Sequence, residues 1–247
     1  MLDRFRRSGR LTLTGQVLES LGQDIVSGKL GNGSFPTEAE ISQRFQTSRS
    51  VTREAVKMLT AKGMVSARPR SGIVTQPQEQ WSLLDPDVLR WMLERKFSYE
   101  LLRHFTEMRL GIEPIAAALA AKNASPSALQ AIEHGLQRMI AAEHGDDDHL
   151  EADISFHVAI LNATGNPFYV QLDELITTAL KISIRMTNRI KGHTASVPAH
   201  RRVFDAIKAA DESRASAAMM KIIAEVIALI SRAQALDARA SKPKKLK

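Results

Sequence analysis

The chain has 247 residues and no cysteine. Disulfides, thiolate metal sites and cysteine nucleophiles are therefore excluded, and the composition fits a reducing, cytoplasmic setting. Long apolar runs are missing as well. A membrane-spanning helix needs about 18 or more consecutive apolar residues, and no such stretch occurs. The basic start, Met1 to Arg10, is not followed by the apolar region of a secretory signal. Strand signal is confined to one short segment. Common catalytic signatures are absent too: there is no G-x-S-x-G, no P-loop and no G-x-G-x-x-G. What remains is helix-forming sequence, long enough for one large domain or two smaller ones with a real core.

Charge is placed unevenly within the net +7. Residues 1–80 hold 12 Lys and Arg against 7 Asp and Glu, a net of +5, whereas residues 81–240 hold 18 against 20, a net of −2. Four lysines follow in the tail, residues 241–247. A basic N-terminal part joined to a mildly acidic larger part points to a nucleic-acid module with a second domain.

The segment Pro36–Lys62 reads as two short helices with a tight break. Thr37 and Glu40 fit a capping box, in which a hydroxyl caps the helix start and a carboxylate three residues on reaches back. Ile41 and Phe45 are the apolar positions of the first helix. Thr47 or Ser48 caps the second. Val51, Ala55, Met58 and Leu59 then form a helical apolar stripe. The opposite face carries Arg49, Ser50, Arg53 and Lys57. Such a helix suits the DNA major groove, and a solvated helical hairpin would show the same spacing.

The flanks favour DNA. Upstream, Val17, Leu18, Leu21 and Ile25 share one face of a helix expected over Thr12–Ser27, followed by a loop at Gly31–Ser34. Downstream, two strand-like runs, Met64–Arg68 and Ile73–Thr75, surround a basic turn. Three helices and a basic hairpin describe a winged helix over residues 12–75. Its wing tip, Arg68 to Gly72, would carry Arg70 into the minor groove. Residues 1–11 read as a flexible N-terminus, 76–85 as a linker, and 241–247 as a disordered basic tail. Residues 86–240 read as all helix, over 86–95, 99–122, 126–142, 147–163, 167–190, 197–210 and 212–239. Asp85, Ser125 and Asn166 each precede a proline at a first helical position.

Two constellations stand out in the helical part. Asp153 and His157, four residues apart, share one helix face. They suit a divalent metal such as zinc, nickel or manganese, although such a pair taken alone is more often an ordinary helix-surface hydrogen bond. His200, on another helix, is a candidate third ligand. Arg109 falls inside an apolar stripe formed by Leu101, Phe105, Met108, Ile112, Ala116 and Leu119, and a buried arginine needs a partner. Glu113, four residues on, could pair with it, or an anionic ligand could. A metal-dependent hydrolase using Asp153, His157 and His200 is an alternative, though no general base is evident beside them.

The whole chain resembles a GntR-family transcription regulator of the FadR type, mainly α, with an N-terminal winged helix-turn-helix and a C-terminal all-α FCD effector-binding bundle. The first domain carries P-T-E-A-E-I (Pro36–Ile41), S-R-S-V-T-R-E-A-V (Ser48–Val56) and K-G-M-V (Lys62–Val65). The second carries E-M-R-L-G-I-E-P (Glu107–Pro114), D-I-S-F-H (Asp153–His157), G-N-P (Gly165–Pro167) and H-R-R-V-F-D-A-I (His200–Ile207). The resemblance implies no enzyme but a DNA-binding repressor acting as a homodimer. Its implied operator contacts are Thr37, Ser48, Arg49, Ser50 and Arg53, with Arg70 and Gly72 at the wing tip. Ala39 stands where many such proteins have an arginine, so one customary DNA contact is absent. Asp153, His157 and His200 match three usual metal ligands, while the fourth, ordinarily histidine, falls on Ile222, leaving the metal site incomplete. Arg109 matches an arginine that commonly holds an effector carboxylate. The stretch Trp81–Trp91 resembles a branch answering sugar acids, with galactonate or a related aldonate or aldarate as the implied effector and another organic acid as the alternative. Its tryptophans and leucines read as surfaces docking the two domains.

Overall fold

A computed structural model of the chain describes residues 11–30, 35–68, 72–95, 98–191 and 195–240. The chain divides into two compact units, Met1–Phe97 and Ser98–Lys247.

The first unit is a winged helix with one further helix attached. Helices α1 (Leu13–Val26), α2 (Glu38–Phe45) and α3 (Arg49–Ala61) are followed by an antiparallel hairpin of β1 (Val65–Arg68) and β2 (Gly72–Thr75). Val65 lies opposite Thr75 and Arg68 opposite Gly72. The expected capping box is present. Thr37 Oγ1 accepts from the Glu40 N–H at 3.3 Å, and Glu40 Oε2 accepts from the Thr37 N–H at 2.8 Å. Gln46, left-handed at φ 49°, ends α2, and Ser48 caps α3 by accepting from the Val51 N–H. The core is built from Val17, Leu18, Leu21 and Ile25 of α1, Ile41 of α2, and Ala55, Val56 and Leu59 of α3.

The buried face of α3 differs from the expected one. It is centred on Thr52, Ala55, Val56 and Leu59, while Met58 is 37% exposed. The true face is rotated because Thr52 is satisfied inside, its hydroxyl 2.9 Å from that of Ser42 on α2. A buried polar group with a partner is tolerated where an orphan would not be.

Residues 76–95 belong to this unit, later than the expected boundary at residue 86. The Gln76 N–H donates to the Met64 carbonyl and the Ser82 N–H to the Lys62 carbonyl, so the expected linker is hydrogen-bonded to the winged helix. A single 3-10 turn at Gln78–Gln80 leads to α4 (Pro86–Arg95), which packs on α1. Arg90 forks onto Glu19 at 2.8 and 2.6 Å, and the Trp91 indole N–H donates to the same carboxylate at 2.9 Å. Trp91 is 1% exposed and its ring lies flush against Gly22, where a Cβ would sit 2.5 Å from the ring. Lys62 Nζ holds Asp85 at 2.7 Å and Asp87 at 3.0 Å. Trp91 thus docks α4 onto the unit's own first helix.

The second unit is an all-helical bundle of α5 (Tyr99–Asn123), α6 (Pro126–Glu143), α7 (His149–Ala163), α8 (Pro167–Val170), α9 (Asp173–Lys191), α10 (Val197–Lys208) and α11 (Glu212–Ala240). The expected single helix over 167–190 is two, with a turn at Gln171–Leu172 between α8 and α9. The remaining ends shift by only one or two residues, as fraying ends do. Ser125 and Asn166 cap α6 and α8 as expected, with proline at the first helical position of each. Helix α5 packs against α7, α9, α10 and α11. Gly135 lets α6 close on α7, since a Cβ there would lie 2.8 Å from the Phe156 Cα. That contact fixes α7 one residue before His157.

Candidate functional site

In the first unit, the basic face of α3 points to solvent. Arg49, Ser50, Arg53 and Lys57 are all exposed, as are Thr37, Ser48 and Gly72. Gly72 sits at φ +71°, a left-handed conformation that glycine adopts without strain. Arg70 lies outside the described residues. Arg53 has a long 3.5 Å contact to Glu38 and a side chain 62% exposed, so most of its donors are available. The scaffold beneath is tied down: Arg44 of α2 reaches Asp24 of α1 at 2.7 Å. Burial disfavours the Asp24 carboxylate, but Arg44 and Lys29 outweigh that and lower its pKa. Ala39 is exposed on α2 and offers no polar atom.

In the second unit, α5, α7 and α10 bring five ionisable side chains together inside the bundle. Arg109, Glu113, His157 and His200 are each 2% exposed and Asp153 is 5% exposed. On α7, the four-residue spacing stacks Asp153 and His157, with Asp153 Oδ1 3.5 Å from His157 Nε2. From α10, His200 Nε2 approaches Asp153 Oδ1 to 3.1 Å and His157 Nε2 to 3.4 Å. His200 Nδ1 lies 2.9 Å from the Ser196 carbonyl, one turn back on its own helix. That carbonyl accepts a hydrogen bond from the Nδ1–H, which turns Nε2 toward the cluster. On α5, Arg109 donates through Nε and Nη2 to Glu113 at 2.5 and 3.2 Å. Glu113 Oε2 in turn lies 2.6 Å from His157 Nδ1. The face of α5 is centred on these charges, with Leu101, Met108, Ile112 and Leu119 half-buried beside it. The expected stripe is therefore turned by about one residue.

These charges alternate along the chain of contacts. Burial works against a charge on His157, but the Glu113 and Asp153 carboxylates outweigh it and raise the imidazole to about 9. Burial likewise favours neutral Glu113, yet Arg109 and His157 hold it at about 2. For Asp153 burial is outweighed by His157 and His200, which keep the carboxylate far below its usual range. Without a metal, protonated His157 thus stands between two carboxylates, one of them clamped by Arg109.

Asp153, His157 and His200 can each offer one ligand atom, all within 4.8 Å of one another. Asp153 Oδ1 is fully buried yet receives no aligned hydrogen bond, although both imidazole Nε2 atoms are near. The two imidazole Nε2 atoms face each other at 3.4 Å, with the unpartnered carboxylate oxygen beside both, so three donor atoms lie close enough to share one ion. One carboxylate and two imidazoles suit zinc, nickel or manganese. Ile222 is half-buried on α11 and has no donor to add. His104, His134, His144 and His149 do not join the cluster.

Two family models match the chain. The model for bacterial regulatory proteins of the gntR family covers residues 13–74, and that for the FCD domain covers residues 104–225. The galactonate operon transcriptional repressor of Escherichia coli (strain K12) is 36% identical over 219 residues, spanning 87% of this chain and 95% of that protein. The chain belongs to the gntR family of bacterial regulatory proteins. It is a DNA-binding transcriptional regulator with an FCD domain, and not an enzyme, so the hydrolase alternative falls. The HTH-type transcriptional regulator LutR of Bacillus subtilis (strain 168) is 26% identical over 214 residues, spanning 84% of this chain and 96% of that one. Among solved structures, that of Lar, which controls the Listeria monocytogenes agr system, covers 91% of this chain and 99% of its own. It is 21% identical with a TM-score of 0.59, a likeness of fold. Among the described residues, no helix of this gntR-family chain is long and apolar enough to cross a membrane.

Glu113 enters this site in a way the sequence does not disclose. Its spacing from Arg109 announces the ion pair. Its contact with His157 spans 44 positions and leaves no local signal.

Proposed function

We propose that this protein is a homodimeric repressor of a sugar-acid catabolic operon, released from its operator by a small carboxylate such as galactonate. The observation that carries this reading is the sealed cluster of Asp153, His157 and His200 joined to Arg109 through Glu113. When a dication replaces the His157 proton, the buried charges among the described residues leave one net positive charge. One carboxylate would balance it. Bound there, the cation supplies a Lewis-acid anchor for an effector oxygen. Arg109 keeps its Nη1 for a second anionic contact, since Glu113 takes only Nε and Nη2. The relationship to a galactonate operon repressor supports a sugar acid over other organic acids.

On DNA, Arg49, Ser50 and Arg53 meet base edges and phosphates from the start of α3, with Thr37 and Ser48 on the backbone and the wing, Arg70 and Gly72, in the minor groove. Two copies match two half-sites. The effector acts only by binding one state of the protein better than the other. A coupling of about 1–3 kcal/mol would weaken operator affinity about 5–150-fold.

Gel-shift titration of the protein's own upstream region tests this. The expected result is binding at low salt, loss of binding in Arg53→Ala with the helical spectrum intact, and release by galactonate. Failure of wild-type protein to bind that region at low salt would remove the repressor reading. Binding that no aldonate, aldarate or uronate alters would remove the effector class.

A further inference from the structure

Arg109 has two jobs to fill and only one of them is filled by Glu113. Arg109 presents the Nε–Nη2 edge of its guanidinium to this carboxylate. The same carboxylate lies 2.6 Å from His157 Nδ1 but well off the ring's N–H axis, so the contact is a close charge contact and not an aligned hydrogen bond. Glu113 therefore stands between a fixed cation and a metal-facing imidazole, with all three side chains 2–3% exposed. A carboxylate at Nδ1 favours the tautomer that carries its proton there, and so leaves Nε2 as the ligand atom on the side of Asp153 and His200. Phe156 blocks movement from the side, its ring edge-on to His157 at 5.9 Å and to His200 at 5.2 Å.

We propose that Glu113 is a positioning residue for the metal: clamped by Arg109, it holds His157 with Nε2 presented to Asp153 and His200. This rests on the metal site of the functional reading above. It gives the three-ligand site a support that offsets the missing donor at Ile222. It also connects an anion held by Arg109 to the metal through one shared carboxylate, so that each ligand strengthens or weakens the other reciprocally.

The test is titration of the full-length, chelator-treated protein with Co2+, followed by its visible absorption bands. Glu113→Gln is compared with wild type and with Glu107→Gln, an exposed partner of Arg103 on the same helix. The expected result is Co2+ affinity lowered about 10–100-fold in Glu113→Gln, with shifted bands, and unchanged in Glu107→Gln. Glu113→Gln leaves Arg109 buried without its counter-charge and could unfold the bundle. Arg109→Met/Glu113→Gln removes both charges together, keeps the volume, and is expected to show the same loss of affinity. A lowered melting temperature with Co2+ affinity within about twofold of wild type, in either variant, would overturn the role of Glu113 while leaving the metal site standing. Wild-type protein that takes up no Co2+ would refute the metal site itself.

Discussion

Arg109→Ala is the perturbation that separates structure from sensing most sharply. Arg109 and Glu113 are each 2% exposed and joined by two hydrogen bonds of 2.5 and 3.2 Å. Removing the guanidinium leaves Glu113 in the bundle with only His157 as a counter-charge. Breaking one half of a buried pair costs about 3–5 kcal/mol. The remaining His157 contact moves the expectation to the lower end, about 3 kcal/mol. For a bundle of this size each kcal/mol shifts the melting temperature by about 2–4 °C, so a fall of roughly 6–12 °C is expected. The loss should shrink as pH falls from about 8 to about 5, because a carboxyl deprived of its cation and buried takes up a proton more readily. Calorimetry of wild type, Arg109→Ala and Arg109→Met/Glu113→Gln measures this directly. The double variant should recover most of the loss, since no charge is left unpaired. A melting temperature for Arg109→Ala within about 2 °C of wild type would refute the view that this arginine carries Glu113, and would leave effector binding as its sole task.

Metal-free protein should lose stability in alkali through His157. Its folded value of about 9 lies above its ordinary 6.5, so its contribution is complete below about 6.5 and is lost as pH rises through about 9. Urea unfolding should show up to about 3 kcal/mol of this dependence, absent in His157→Asn; equal slopes in both proteins would contradict it. Gly22→Ala should destabilise the first unit. The new Cβ would lie 2.5 Å from the Trp91 ring. The overpacking cost of about 1–3 kcal/mol exceeds the gain of up to about 1 kcal/mol from replacing a helical glycine. A raised melting temperature would show that Trp91 does not dock there. Lys62→Met should weaken the attachment of α4 by leaving Asp85 and Asp87 without their shared cation. Faster amide exchange over Val88–Leu93 is the expected signature, and unchanged exchange would speak against this tie.

Much of this protein is determined locally, and for that reason its sequence discloses it. The Thr37–Glu40 box, the Ser48 and Ser125 caps and the paired spacing of Asp153 with His157 all depend on residues within four positions of one another. Hydrogen-bond geometry of a single turn dictates them. The resemblance of the family motifs identified the rest of the architecture. The tertiary structure decided matters that join distant segments. Residues 76–95 look like a linker and the start of a second domain because polar composition and a Pro-initiated helix carry no record of a partner. Glu19, 71 positions before Arg90, supplies that partner and binds α4 to the winged helix. Arg109 looked equally fit for an ion pair or a ligand. Its burial beside Glu113 settled the pair, and the approach of α7 then put His157 on the far side of the same carboxylate. Met58 was drawn to the apolar stripe by its hydrophobicity, and Thr52 took its place because Ser42 satisfies its hydroxyl. Spacing along a helix fixes which side chains share a face, whereas only the packing of helices fixes what that face meets.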